Sequence, residues 1–226
     1  LAVSASVSCM DLGNLADSIK KVEDSDVAFF HYDVVDGRFN KCYILGDILC
    51  DYLKKNSRLP IEVHLAVYDI ENYIEVFAQK KVEYIAVHYE AMKNPKEIFA
   101  KIRSLGAKPV LAYRADTEPK DDLIELASLC ELGFLKLTLI NYRICRSKNK
   151  SKKQIKHIKM MSDMLKQNNI KTRIQADGNV NKNTTRMLAE AGATIFTGGT
   201  SGLFLTGKSI QENLRELLAP TKEFID

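Results

Sequence analysis

No stretch of this 226-residue chain approaches the ~18 consecutive apolar residues that a membrane-spanning helix needs. The opening "LAVSASVSCMDLG" has no basic flank of the kind that begins a secretory signal. From these two absences we expect a soluble, cytoplasmic protein with no membrane partner. Cysteine motifs are missing as well. The five cysteines, Cys9, Cys42, Cys50, Cys130 and Cys145, are odd in number and show no C-x-x-C spacing, which speaks against a disulfide framework and against a structural zinc site. Charge of one sign is not in excess either: a formal net charge of +4 is too small and too dispersed to suggest nucleic acid, although it leaves an anionic small molecule open. A G-x-G-x-x-G after the first strand is absent, which argues against an open, doubly wound nucleotide-binding sheet. Apart from the basic run "RSKNKSKK" (146–153) nothing resembles a linker, so 1–226 is read as one domain.

What is present is an ordinary globular composition, 46% hydrophobic and 27% charged, on a chain long enough to bury roughly three quarters of its unfolded surface. Short β-rich segments recur as "AVSASVS" (2–8), "VAFFHYD" (27–33), "IEVHLAV" (61–67), "YIAVHYE" (84–90), "KPVLAY" (108–113), "FLKLTLI" (134–140), "KTRIQAD" (171–177) and "TIFTGG" (194–199). Between them, segments such as "LGNLADSIKKVE", "IENYIEVFAQK" and "IKHIKMMSDMLKQ" carry apolar residues at helical spacing. "SLGAKP", "ELGFLK" and "EAGATI" each place a glycine where a helix would end in the left-handed conformation before the next strand. Eight strand candidates alternating with eight helix candidates predict an α/β fold, a single-domain (β/α)8 TIM barrel.

In that fold the reactive groups sit where strands end and βα-loops begin. His31 and Asp33 are two apart in one strand, so both side chains point to the same side, the barrel interior. His64 and His88 lie in the next two strands, and Asp177 ends the seventh. Alone, each has a plain explanation: a satisfied core histidine, or an aspartate capping the following helix. Together they are costly to bury unless paired or bound to a metal. His31, Asp33, His64 and Asp177 offer two imidazoles and two carboxylates, a mixed set suited to one divalent ion of Zn, Fe, Mn or Co rather than Ca or Mg. His88 reads as a satisfied core histidine. His157, in a Lys-rich helix, reads as solvated surface, and Asp36 as a loop residue just beyond its strand.

Carboxylates from the second and seventh strands could flank one carbon of a substrate. Removing a proton next to a carbonyl with a carboxylate of pKa near ~4 needs strong stabilisation of the enediolate, which a Lewis-acid metal supplies. Asp33 and Asp177 would then take the proton from one face and return it on the other, inverting the centre. For an anion, the "GGTSG" turn (198–202) offers the amides of Gly199, Thr200 and Ser201, read as a helix start. Arg143, Arg146, Lys148 and Lys150 stand before the sixth helix, where each cation is unfavourable by about 0.3–1 kcal/mol. A bound anion would offset that, and a solvated loop is the alternative.

These residues resemble the ribulose-phosphate 3-epimerase family, including its allulose-6-phosphate branch. "HYDVVDG" (31–37) is similar to the family's H-x-D-V-M-D-G, "EVHLAV" (62–67) to D-V-H-L-M-V, and "ADG" (176–178) to V-D-G. The resemblance implies that His31, Asp33, His64 and Asp177 are the metal ligands, that Asp33 and Asp177 are the acid/base pair, and that Ser6 and Gly178 lie near a phosphorylated ketose. "SCMDL" (8–12) and "GTSGLF" (199–204) look more like the allulose-6-phosphate branch. The chain departs from the family in "NYRICRSKNK" (141–150), which has none of the glycines of P-G-F-G-G-Q, and in Val35, Ala66 and Thr138, which stand where methionines are expected. The expected activity is therefore a metal-dependent ketose-phosphate 3-epimerase, with a sugar-phosphate-binding barrel that has lost turnover as the alternative. Self-association into a homo-oligomer is left open.

Overall fold

The structure, a computed structural model, describes residues 1–130, 134–138 and 148–224. Residues 139–147, with Arg143, Cys145 and Arg146, lie outside the described residues, as do Gly133 and the side chains of Thr138, Lys148 and Lys150; Lys148 and Lys150 stand in the first turn of the sixth helix, Lys148–Gln167, and not before it. Strands β1 (Ala2–Ser6), β2 (Phe29–Asp36), β3 (Tyr43–Ile44), β4 (Ile61–Ala66), β5 (Tyr84–His88), β6 (Lys108–Arg114), β7 (Phe134–Thr138), β8 (Arg173–Asp177) and β9 (Ala193–Gly198) form one sheet. Its order is β1-β9-β8-β7-β6-β5-β4-β2-β3, and β1 also pairs with β2. Only β3 is antiparallel, on β2. The eight parallel strands therefore close into a barrel, as the alternation predicts. The small β3 hairpin on the rim has no counterpart in the sequence reading.

The helices α1 (Leu15–Glu23), α2 (Asp47–Asn56), α3 (Ile70–Gln79), α4 (Pro95–Ser104), α5 (Leu123–Ser128), α6 (Lys148–Gln167), α7 (Thr185–Glu190) and α8 (Ile210–Leu218) follow from the apolar spacing. In α3 the buried residues are Ile70, Ile74, Phe77 and Ala78, one stripe at intervals of three and four. Proline sits in the first turn of α4, where its missing amide costs nothing. Gly106 and Gly192 take φ of +89° and +111°, the left-handed exits expected after α4 and α7.

In α6 the spacing leads to a correction. Gln154, His157, Ile158, Met161, Ser162 and Leu165 are all buried, while Lys153, Lys156 and Lys159 are exposed. His157 therefore belongs to the inward stripe of the helix and is not solvated surface; the lysines occupy the other faces.

Period-two alternation in β2 divides the core. Phe30, Tyr32 and Val34 face outward into the main cluster shared with the helices. Phe29 joins Ala86, Val110 and Ile195, a plug inside the barrel. Val35 joins Phe39 and Ala66 at the opposite, C-terminal end of the barrel. His31 and Asp33 sit between plug and rim, at the level where strand ends give way to loops. Among the described residues no helix is long and apolar enough to cross a membrane.

Candidate metal centre

Strand register aligns the site. Ser6 pairs with His31 and Asp33 with His64, while Asp177 stands at the end of β8, beside Thr138 of β7. One potential ligand atom from each of His31, Asp33, His64 and Asp177 lies within 4.8 Å of the others. Asp33 Oδ1 is 3.0 Å from His31 Nε2 and 2.9 Å from His64 Nδ1, and His31 Nε2 is 3.9 Å from Asp177 Oδ2. Both imidazoles are fully buried, whereas the carboxylates of Asp33 and Asp177 keep 13% and 14% side-chain exposure. A molecule arriving from solvent would thus meet the carboxylates first.

The donor set fits a divalent transition-metal ion. It combines two nitrogen and two oxygen donors, and the far nitrogen of each imidazole is already engaged. His31 Nδ1 donates to Glu62 Oε2 at 2.6 Å, and His64 Nε2 is 2.8 Å from His88 Nε2. Such partners fix a ring's orientation and tautomer. His88 is the buried, partnered histidine expected from the sequence: its Nδ1 lies 3.0 Å from Glu90 Oε2.

Beneath the cluster runs a polar layer. Gln175 Nε2 donates to Glu62 Oε2 at 2.9 Å and to Thr197 Oγ1 at 3.0 Å, and Ser4 Oγ donates to Thr197 Oγ1 at 3.4 Å. A register shift between Ile174 and Gln175 accompanies this placement, as bulges commonly re-aim a side chain. Above the layer, Ser6 Oγ and Ser8 Oγ each donate to Asp33 Oδ2 at 3.3 Å. Glu62, Gln175, Ser8 and Glu90 are absent from the sequence-based site. The first two carried a signal: each precedes a site residue by two positions in the same strand, Glu62 before His64 and Gln175 before Asp177, so each shares its inward face.

Other site residues need adjustment. Asp36 is the last residue of β2, not a loop residue, because β3 extends the ladder there. Its role in shaping the loop holds: Asp36 Oδ1 accepts from the amides of Arg38 (2.8 Å) and Phe39 (2.7 Å), and Oδ2 from Tyr68 (3.1 Å). Burial pushes the Asp36 carboxyl up, but these amides outweigh it and hold it below the usual range. Phe39 is thereby laid against His88, ring centroids 4.7 Å apart, and the Arg114 guanidinium lies 4.0 Å from the Phe39 ring centroid.

Across the same rim, Gly178 takes φ +93°, so the chain turns sharply after Asp177. Gly199 follows the strand whose Gly198 pairs with Ala5, which brings it near Ser6. No helix starts at Gly199, Thr200 and Ser201, contrary to expectation. The amides of Gly202, Leu203 and Phe204 all donate to the Gly199 carbonyl at 2.9–3.2 Å, forming a tight turn, and Ser201 Oγ donates to the Val180 carbonyl. Helix α8 begins nine residues beyond Ser201, at a Ser209–Glu212 capping box.

The model of the ribulose-phosphate 3 epimerase family matches residues 2–204. The chain is 32% identical over 238 aligned positions to the ribulose-phosphate 3-epimerase of Methanocaldococcus jannaschii, covering 100% of this chain and 95% of that protein. It is 27% identical to that of Bacillus subtilis, covering 89% and 91%. Among solved structures, a mutant tryptophan synthase α-subunit from Pyrococcus furiosus superposes with a TM-score of 0.64 at 14% identity, over 96% of this chain and 97% of that one. A thiamine phosphate pyrophosphorylase from the same organism gives 0.63 at 11%, over 100% and 98%. These two likenesses concern the fold alone.

Proposed function

Because the chain belongs to the ribulose-phosphate 3-epimerase family, a family of isomerases, we propose that it inverts carbon 3 of a ketose phosphate of the ribulose-5-phosphate or allulose-6-phosphate type. The observation that carries the reading is the convergence of two carboxylates, from β2 and from β8 across the barrel, with two buried imidazoles inside 4.8 Å.

His31, Asp33, His64 and Asp177 would hold one divalent ion, Zn, Fe, Mn or Co. Such an ion supplies Lewis-acid stabilisation of the negative charge that develops on the substrate's oxygens. The rest falls to the chain. One aspartate, ionised, takes the proton from carbon 3, and the bonding pair moves toward the carbonyl to give an enediolate. The other, protonated, returns a proton to carbon 3 from the opposite face. Their charge states exchange with each turnover, so either epimer can be substrate. Ser6 and Ser8, donating to Asp33 Oδ2, would fix the direction in which Asp33 presents its other oxygen. Gly178, Gly199, Thr200 and Ser201, with Ser6, would line the bed for the sugar phosphate. Gly199 suits close approach: a Cβ there would stand 3.1 Å from Cys9 Sγ.

The test is incubation of metal-loaded protein with ketopentose and ketohexose phosphates in deuterated water. Deuterium at carbon 3, together with the inverted epimer, is expected for one of them, and that substrate separates the ribulose type from the allulose type. Calorimetric binding of a sugar phosphate with no label from any would favour the non-catalytic barrel instead, a reading the glycine-free segment 141–150 motivates.

A further inference from the structure

The outer nitrogen of His64 opens a line of contacts leading away from the cluster. His64 Nε2 is 2.8 Å from His88 Nε2, His88 Nδ1 is 3.0 Å from Glu90 Oε2, and Glu90 Oε1 accepts the Arg114 amide at 2.8 Å. His64 and His88 are fully buried, so water cannot substitute for either partner. A contact between two imidazole nitrogens is a hydrogen bond only if one carries the proton and the other a lone pair. Geometry alone leaves two directions open. A carboxylate, which can only accept, stands at each end, Asp33 Oδ1 at His64 Nδ1 and Glu90 Oε2 at His88 Nδ1, but an ion held at the cluster would claim the lone pair of His64 Nδ1, and Glu90 then sets the direction.

We propose that Glu90 is a positioning residue which, through His88, puts the proton of His64 on Nε2 and so makes Nδ1 the atom His64 presents to Asp33 and the metal centre. Glu90 accepts from His88 Nδ1–H. His88 Nε2 is then the lone-pair nitrogen and accepts from His64 Nε2–H. With its Nε2 committed as donor, His64 has Nδ1 left to coordinate, and Nδ1 is the nitrogen 2.9 Å from Asp33 Oδ1. Reversing the proton order would turn a lone pair of His88 Nδ1 toward the Glu90 carboxylate and put Nδ1–H of His64 against the ion. Glu90 is well suited to hold the order. Both of its oxygens are claimed by donors, and the Arg114 amide belongs to β6, the strand next to β5, which anchors the carboxylate to the frame of the barrel. His31 is arranged on the same principle in one step, with Glu62 as its carboxylate. The inference rests on the reading of His64 as a metal ligand, and it adds that the ligand atom is selected two hydrogen bonds away.

Substituting Glu90→Gln replaces one acceptor oxygen by a donor. Either the Arg114 amide or His88 Nδ1–H must then lose its acceptor, and the proton order is no longer enforced. Zn(II) affinity, measured by competition with a chromogenic chelator, should fall by about 10–100-fold, the usual cost of losing such a partner. A double-mutant cycle separates the relay from a general loss of structure. His88→Leu cuts the line, so adding Glu90→Gln to it should weaken Zn(II) binding no further than His88→Leu alone, whereas additive losses would overturn the proposal. The second readout is the ¹⁵N–¹H correlation spectrum of the imidazoles, tractable because the chain has only four histidines. At a pH of about 8, where an ordinary imidazole is neutral, His64 in the zinc-loaded protein should carry a proton on Nε2 and His88 on Nδ1 only. A His64 protonated on Nδ1 alone, or a pattern unchanged by Glu90→Gln, would refute the relay. Should zinc leave the His31 and His64 signals unperturbed, the metal reading fails, whereas zinc-shifted signals with His88 protonated on Nε2 would refute the relay alone.

Discussion

At the scale of single residues, Asp177 is the sharpest point of the proposed chemistry. Asparagine keeps its shape but can neither take nor give the proton, so Asp177→Asn should lower the rate of inversion at carbon 3 by at least ~100-fold, read by polarimetry or NMR of the two epimers. An unchanged rate would remove Asp177 from the acid/base pair. The four ligand candidates were legible because inward-facing polar residues in otherwise apolar strands are conspicuous. Glu62 and Gln175 were less so: without the strand register, a Glu two positions before a His looks the same whether it meets a neighbouring imidazole or solvent. Only the register of β2 on β4, in which His31 pairs with Glu62, puts the two side by side. His157 was misread for a related reason. Lysine content describes a helix as a whole, but burial is decided face by face, and residue 157 falls on the stripe of Ile158 and Met161.

At the scale of elements, the turn after β2 is held by one carboxylate. Asp36→Ala would strip the acceptor from the amides of Arg38, Phe39 and Tyr68. Hydrogen bonds to a charged group contribute about 1.5–3 kcal/mol each, so hydrogen exchange of those amides should accelerate by at least ~10-fold. Protection equal to wild type would show that the packing of Phe39 holds the turn unaided. Gly37, with φ +73°, completes this turn in a conformation that costs other residues about 1 kcal/mol or more. The eight strands and eight helices were legible from periodicity, since alternation of two and of 3.6 persists over whole segments. The tight turn at 199–204 was not. It depends on Gly199 gathering three amides and on Gly202 lying where a Cβ would be 2.6 Å from the Val180 carbonyl, and the second relation links segments the sequence does not bring together.

At the scale of the whole molecule, two predictions concern stability. Burial alone would raise the Glu90 carboxyl, but the hydrogen bond from His88 and the charge His88 carries at acid pH, with hydrogen bonds from Thr117 and the Arg114 amide, more than offset it and take it to about 2. A carboxyl lowered on folding stabilises the fold above its unfolded pKa and loses that contribution as pH falls toward the folded value. The contribution is on the order of 3 kcal/mol, complete above a pH of about 4.5 and lost between there and about 2. The difference in urea midpoint between wild type and Glu90→Gln should accordingly shrink as pH is lowered through that window; a constant difference would contradict the shift. Metal should act through the folded state alone. Zinc at 100 times its dissociation constant should stabilise by about 2.7 kcal/mol, raising Tm by about 5–10 °C for a chain of this size, and a chelator should reverse the rise. A Tm indifferent to zinc would argue against a preformed centre.

The polar layer under the site has a further consequence for how the barrel comes together. Ser4, His31, Glu62, Gln175 and Thr197 come from five different strands, and each makes a hydrogen bond to a neighbour on another. A one-residue slip of β4 would swing Glu62 out among the helices and put Ile61 or Val63 opposite His31 and Gln175, stranding buried donors at about 1–3 kcal/mol each. Apolar residues tolerate such a slip far better, because one branched side chain fills space much like another. The layer therefore proofreads strand pairing: a misaligned barrel is penalised at its centre, at the height where the catalytic geometry must later be accurate.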